Sequence, residues 1–161
     1  MNEPESPLKE HHLFADYIYW ILAASVPIIT ASVAIYKNSL VWLMFYLAIL
    51  IFFAVILLRF YCTHCPHYIR GAKVIKCMFF WGVPKYFKQR PGPLKVSEKA
   101  ITIIATVIVA LLPVYWLIER PEFLIIYIFS AAVLVMSIRR YECCRCIYFD
   151  CPSNSVVKPG L

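Results

Sequence analysis

The chain has 161 residues, of which 62% are hydrophobic, and it carries a net charge of +7. An ordinary soluble domain is about 45–50% apolar, and a chain this short cannot bury the surplus in one core, so the composition excludes a soluble globular domain. The positive charge is not accompanied by a nucleic-acid-binding motif, and no nucleic-acid partner is expected. Attraction to anionic lipid headgroups of the bilayer explains the charge better.

Four segments are long and apolar enough to be predicted as transmembrane helices. A helix needs about 20 apolar residues to cross the hydrocarbon core of a bilayer. The predicted spans cover residues 13–36, 39–58, 100–118 and 123–138. Pro121 and Glu122 extend the short fourth span by a first turn, where proline is tolerated.

Residues 1–12 form a predicted N-terminal segment that ends at the membrane border. His11 and His12 in this segment, and Asp16 at the start of the first span, are expected to be polar flanking residues. The first span exceeds the 7–15 residue core of a signal peptide and follows no basic stretch, so it is predicted to remain as a helix.

The short connections between the spans predict two helical hairpins, over residues 13–58 and 100–138. Lys37 and Arg120 lie in the two turns, whereas the other fourteen of the sixteen Lys and Arg residues lie on the opposite side with both termini. Because positive residues stay in the cytoplasm, the N- and C-termini are predicted to be cytoplasmic.

An internal repeat links the two hairpins. The pattern R-x-x-C-x-x-C occurs at residues 59–65 and again at 140–146, an offset of 81 positions. Each unit crosses the membrane twice, so the two copies have parallel topology. The predicted fold is an all-α integral membrane protein with four transmembrane helices, arranged as two tandem hairpins with a cytoplasmic cysteine-rich face.

The seven cysteines all lie on the predicted cytoplasmic side, in the segment 59–99 and in the tail 139–161. Structural disulfides are rare in the cytosol, so this placement favours metal binding. Two C-x-x-C pairs supply a tetrahedral set of four thiolates for zinc or for iron. The preferred ligands are Cys62, Cys65, Cys143 and Cys146.

Other divisions of the thiols stay open. Two separate sites are also possible. Cys77 would join the first cysteine pair, with His64 or His67 as the fourth ligand. Cys151 would join the second pair, with Cys144 as the fourth ligand. Zinc is favoured as the metal, with an iron–sulfur cluster as the alternative. Two interpretations need no metal, namely palmitoylation of thiols beside the membrane and a thiol–disulfide relay.

The segment 59–99 mixes basic and aromatic residues, which suits the headgroup region of a membrane. Part of it is predicted as a short interfacial helix that ends near residues 82–84. A docking surface for a partner protein would have the same composition. The residues expected at the membrane interface, including two after the fourth span, are Arg59, Trp81, Lys85, Lys88, Arg90, Arg139 and Arg140.

The sequence carries no nucleotide-binding glycine pattern and no hydrolase or metalloprotease motif, so catalysis is not expected. The resulting prediction is a non-catalytic membrane subunit or scaffold in which a cysteine-bound metal joins the two hairpins. Its partners would be the lipid bilayer and another membrane protein or a second copy of this chain. An electron-transfer subunit and a protein that transports or handles a soft metal are the alternatives.

Overall fold

The protein is mostly helical in the part of the chain that the computed structural model describes, namely residues 8–9, 12–70, 73–90, 92–149, 151, 154 and 156. Parts of the predicted terminal segments, including His11, lie outside these residues. The α-helices, in chain order, are α1 (Phe14–Tyr36), α2 (Leu40–Ile56), α3 (Pro66–Arg70), α4 (Val96–Leu111), α5 (Val114–Leu117) and α6 (Pro121–Ser137).

Four helical spans among the described residues are long and apolar enough to cross a membrane, which confirms that prediction. They are Phe14–Tyr36, Leu40–His64, Val96–Leu117 and Pro121–Cys143, and they are called spans 1 to 4 below.

Spans 2 and 4 extend past their predicted ends because each helix continues beyond its apolar run. α2 passes into a π-helical turn over Leu57–Tyr61 and then a 3₁₀ turn over Cys62–His64. α6 passes into a π-helical turn over Ile138–Cys143. The residues that follow each apolar run, including Cys62 and Cys143, therefore lie on helical backbone.

A carboxylate near the start of spans 1 and 3 accepts a hydrogen bond from the backbone. Asp16 Oδ2 accepts from the Leu13 N–H at 2.8 Å, and Glu98 Oε2 accepts from the Lys95 N–H at 3.1 Å. The N–H groups at a helix start have no partner within the helix, so these carboxylates stabilise both helix starts.

Small and aromatic side chains pack together where α1 meets its neighbours. α1 packs against α2, α5 and α6, and α2 also packs against α4. The buried cluster contains Ala31, Ile35, Tyr46 and Trp116. Every residue of α6 is at least partly exposed, and large exposed apolar surfaces are compatible with a lipid environment.

A small β-hairpin follows α3, and the prediction of a short interfacial helix ending near residues 82–84 is therefore wrong. Strand β1 (Val74–Lys76) pairs antiparallel with β2 (Trp81–Pro84). The turn between them is closed by a hydrogen bond from the Cys77 N–H to the Phe80 carbonyl at 3.1 Å. β-Branched and aromatic residues favour strands, and Gly82 adopts a positive φ of 75° that disfavours helix here.

The tight packing around α1 predicts a cost for enlarging Ala31, which is fully buried. Ala31→Leu is expected to destabilise the protein by about 1–3 kcal/mol, because extra methyl groups force neighbouring side chains out of place. Thermal unfolding in detergent micelles measures this cost. Ala132→Leu is the matched control, since Ala132 is exposed on α6; equal unfolding midpoints for the two variants would contradict the packing.

Candidate metal centre

One cavity of about 540 Å³ collects most of the cysteines. It lies where spans 2 and 4 end, and it is called the thiol cavity below. Cys65 and Cys77, which follow span 2, line it together with three cysteines from the end of span 4 and the tail. These three are Cys143, Cys146 and Cys151. Thiols from distant parts of the chain thus face one space.

Local structure explains how each thiol reaches the cavity. Cys65 ends the 3₁₀ turn after α2, and Cys77 occupies the turn between β1 and β2. Cys146 is held against the N-terminal segment, because the Lys9 N–H donates to the Arg145 carbonyl at 2.7 Å. Cys151 is held by the Tyr61 hydroxyl, 2.6 Å from its sulfur.

Backbone amides point at three of these sulfurs. The Tyr148 N–H lies 3.4 Å from the Cys146 sulfur. Amides of His67 and Tyr68 bond to the Cys65 sulfur and act to lower its pKa, and the three amides that follow Cys77 do the same there. Hydrogen bonds of this kind favour the thiolate form, which is the form that binds metals.

Burial has a larger effect on the pKa of these thiols than the amides have. It raises the pKa of Cys65, and the neighbouring thiols of Cys77 and Cys146 raise it further. Burial likewise raises the pKa of Cys77 and of Cys146. Burial therefore favours the protonated form of these thiols.

Two of the predicted cysteine ligands do not line the cavity. Cys62 is buried behind it, in an apolar cluster with Tyr68 and Ile75. Cys144 is exposed, and its thiol donates to the Arg140 carbonyl at 2.6 Å. Of the preferred set of four ligands, Cys65, Cys143 and Cys146 therefore line the cavity and Cys62 does not.

The two predicted histidine ligands are placed differently from each other. His67 lines the cavity, with its ring 4.5 Å from the ring of His12. His64 is buried elsewhere: its Nε2 lies 3.2 Å from Glu98 Oε2 and its Nδ1 lies 3.2 Å from the Gly92 carbonyl. His64 thus contacts the start of span 3 and does not line the cavity.

All seven cysteines are free thiols. Among the residues that the structure describes, no group of three or more His, Cys, Asp or Glu side chains is gathered closely enough to hold a metal ion.

Sequence reasoning missed the buried polar groups beside the thiols. Glu142 accepts hydrogen bonds from Lys9 Nζ at 2.9 and 3.1 Å and from the Trp20 indole N–H at 2.9 Å. A carboxylate at the end of an apolar span was the available signal, since such a group needs a partner. Trp20 itself is 2% exposed.

A second buried carboxylate, that of Glu98, lies at the start of span 3. Arg90 Nη1 donates to Glu98 Oε1 at 2.7 Å, and Arg90 Nη2 donates to the Arg59 carbonyl at 2.8 Å. The Arg90 N–H also donates to the Thr63 carbonyl at 3.0 Å. Lys9 and Arg90 are called the two clamp residues below, because each ties the start of one span to the end of another.

His12 is a neutral buried base in the thiol cavity. Burial, together with the nearby Lys9 charge, lowers its pKa to about 4, although the carboxylate of Asp16 acts in the opposite direction. Its Nδ1 has no hydrogen-bond partner and lies 3.7 Å from Glu142 Oε2. The cavity wall therefore includes an imidazole nitrogen without a hydrogen-bond partner, beside the Glu142 carboxylate.

Some of the predicted membrane-interface residues contact other side chains, and others are exposed. Arg59 lies over the Phe87 ring at 5.6 Å, Lys85 lies over the Tyr68 ring at 5.4 Å, and Trp81 packs against Phe14. Arg90 is a clamp residue and Arg139 lines the thiol cavity. The side chains of Lys88, Arg139 and Arg140 are exposed.

Comparison with known proteins finds no matching family model, no matching curated protein and no matching solved structure.

The clamp at Arg90 predicts that removing its carboxylate destabilises the protein. The Glu98 side chain is 6% exposed, and Glu98→Ala removes the carboxylate that pairs with Arg90 and His64. The expected cost is roughly 2–3 kcal/mol, since Arg90 is one-third exposed and can regain some hydration. Thermal unfolding in detergent measures it.

Glu119→Ala is the matched control, because Glu119 is exposed in the turn after α5. It is expected to change stability by less than about 0.5 kcal/mol. If Glu98→Ala unfolds at the same temperature as this control, the clamp does not stabilise span 3.

Proposed function

We propose that this chain is an integral membrane protein whose thiol cavity binds a metal through cysteine thiolates. The metal joins the part of the chain around spans 1 and 2 to the part around spans 3 and 4. The observation that carries the proposal is the convergence on one cavity of Cys65 and Cys77 with Cys143, Cys146 and Cys151.

The chemistry of the cavity suits a soft or borderline metal ion. Thiolates are preferred ligands of zinc, of copper(I) and of iron–sulfur clusters. Amides directed at the sulfurs of Cys65, Cys77 and Cys146 stabilise the charged form that a metal requires. A bound cation would displace the protons that burial otherwise keeps on these thiols.

Recurring element positions support the proposed hairpin repeat. Leu40 and Pro121, where spans 2 and 4 begin, are 81 positions apart. Tyr36 and Leu117, where spans 1 and 3 end, have the same separation. The π-helical turns begin at Leu57 and Ile138, again 81 positions apart. The offset equals that of the R-x-x-C-x-x-C pattern.

The clamp residues support the same repeat in three dimensions. Lys9 precedes span 1 and contacts the end of span 4 through Glu142 and Arg145. Arg90 precedes span 3 and contacts the end of span 2 through Arg59 and Thr63. Two copies related by an axis along the membrane normal would pair in this way.

The proposed orientation places the thiol cavity on the cytoplasmic face. The turns after spans 1 and 3 hold only Lys37 and Arg120, and the basic residues at the cavity end include Lys9, Arg59 and Arg139. This asymmetry follows the positive-inside rule. A cytoplasmic location would also keep the thiols reduced and available to a metal.

A reporter experiment tests the orientation. Green fluorescent protein fused after Leu161 is expected to fluoresce, and alkaline phosphatase inserted between Lys37 and Asn38 is expected to be active, because the first folds in the bacterial cytoplasm and the second in the periplasm. An active phosphatase at the C-terminus, with an inactive one at the turn, would contradict the proposed orientation.

Readings without a metal explain less of the arrangement. Lipid attachment suits the exposed Cys144, but it leaves the half-buried Cys65 and Cys77, which line the cavity, unexplained. We propose a structural role as a non-catalytic subunit or scaffold of a larger membrane assembly. Helices in a bilayer lack a strong hydrophobic force between them, so a metal cross-link would add stability that packing alone does not supply.

Metal analysis tests the proposed function directly. Protein purified from membranes in mild detergent is expected to contain zinc or iron. Cys146→Ser is expected to lose the metal, because it removes a ligand within the cavity. Cys144→Ser is the matched control and is expected to retain it, since Cys144 lies outside the cavity.

Removal of the metal by a chelator is expected to lower the unfolding midpoint by at least about 10 °C. Structural metals contribute roughly 10–16 kcal/mol in small domains, and even about 4 kcal/mol would produce this shift in a chain of this size. Purified protein without metal, with an unfolding midpoint that chelators leave unchanged, would overturn the proposed function.

A further inference from the structure

We infer that a groove between spans 1 and 4 binds an anionic phospholipid, with one acyl chain along the groove and the phosphate beside Arg140. The groove is separate from the thiol cavity. It is lined by α1 and α6 and has a volume of about 440 Å³, within the range of about 300–1,000 Å³ that ligand sites occupy. Binding here requires only that the spans cross a bilayer, with or without a metal in the thiol cavity.

The length of the groove matches one leaflet of a bilayer. Its α6 wall runs from Ile125 to Ser137, which is about 18 Å at 1.5 Å per residue. One leaflet contributes about half of a hydrocarbon core that is about 30 Å thick. Phe129 on the groove wall is 70% exposed, so the groove is open to the surrounding lipid. An acyl chain from the leaflet at the cysteine-bearing end therefore fits along it.

The lining of the groove changes from apolar to polar towards the cysteine-bearing end. Val26 and Phe129 line its deeper part. The Ser130 hydroxyl, midway along, donates to a backbone carbonyl of its own helix at 3.1 Å. Tyr19 and Ser137, which both carry hydroxyl groups, line the groove where α1 begins and α6 ends. A phospholipid has the same gradient, from an apolar tail to a polar headgroup, and tyrosine favours the headgroup level.

Positive charge lies beyond the polar end of the groove. Arg140 follows Ser137 by three positions on continuous helical backbone, so the two residues are neighbours on one helix face. The side chains of Arg139, Arg140 and Arg145 are all exposed. A guanidinium group can donate two parallel hydrogen bonds to a phosphate, which makes arginine a preferred phosphate ligand.

The nearby carboxylates do not cancel this charge. Glu142 lines the thiol cavity and accepts hydrogen bonds from Lys9 Nζ and from the Trp20 indole N–H. Asp16 also pairs with Lys9, at 3.0 Å. Lys9 offsets one of the two negative charges, and the three exposed arginines outnumber the other. The excess of positive charge at this end favours an anionic lipid over a zwitterionic lipid or an apolar partner helix.

Native mass spectrometry of delipidated protein in mild detergent tests the inference without any variant. Phosphatidylglycerol and phosphatidylcholine with identical acyl chains are titrated separately, so the two lipids differ only in the headgroup. The first molecule of phosphatidylglycerol is expected to bind at least about fivefold more tightly, because each arginine near an anionic lipid contributes roughly that factor. Equal affinities for the two lipids would overturn the inference.

A charge variant then tests the position of the headgroup. Arg140→Gln is expected to lower the affinity for phosphatidylglycerol about fivefold and to leave the affinity for phosphatidylcholine unchanged. Arg120→Gln is the matched control, because it removes the same charge at the opposite end of α6. Equal losses of phosphatidylglycerol affinity in the two variants would overturn the assignment of the phosphate to Arg140.

A groove-filling variant tests the position of the acyl chain. Val133 lines the groove, and Val133→Trp is expected to abolish tight binding of both lipids. Ala132→Trp is the matched control and is expected to bind both lipids as the wild type does, since Ala132 is exposed. If Val133→Trp is not recovered folded, the comparison of the two lipids on the wild type decides. A lipid-free dimer that Val133→Trp abolishes would assign the groove to a second copy of the chain and overturn the inference.

Discussion

The charged contacts at the cysteine-bearing end hold the helix ends in their positions. Lys9 reaches Glu142 across 133 positions of sequence, and Arg90 reaches Glu98 and the Arg59 carbonyl. The two glutamate side chains are only 10% and 6% exposed. A buried carboxylate without a partner would cost several kcal/mol, so these pairings determine which helix ends lie side by side.

The positions of the thiols depend on these contacts, because the cysteines lie next to the contacting residues in the chain. Cys143 directly follows Glu142, and Cys65 directly follows His64, which contacts Glu98. The hydrogen bond between Lys9 and Arg145 likewise positions Cys146. The cavity is therefore a consequence of how charges are neutralised at the ends of the spans, and its thiols gain their burial from the same packing.

The proposed metal centre would add bonds between helix ends, where lipid provides little force that holds helices together. Span 2 and span 4 bury few of their residues in the protein, so most of their apolar surface is left to lipid. Lateral packing in a bilayer relies on close contact and on polar bonds. The proposed metal would connect the ends of these spans, which the clamp residues already hold close together.

The sequence by itself determined the four membrane-length helices, because apolar content and length are local properties that the bilayer thickness converts into a span. The sequence also showed that all seven cysteines lie outside the apolar runs, in the segments that follow spans 2 and 4. Tertiary structure alone decided that Cys77 and Cys151 face the cavity while Cys62 lies behind it. It also decided that Glu142 is buried beside the thiols and that residues 74–84 form a hairpin. Each of these depends on which distant residue supplies the hydrogen bond or the packing surface, and a local pattern does not contain that information.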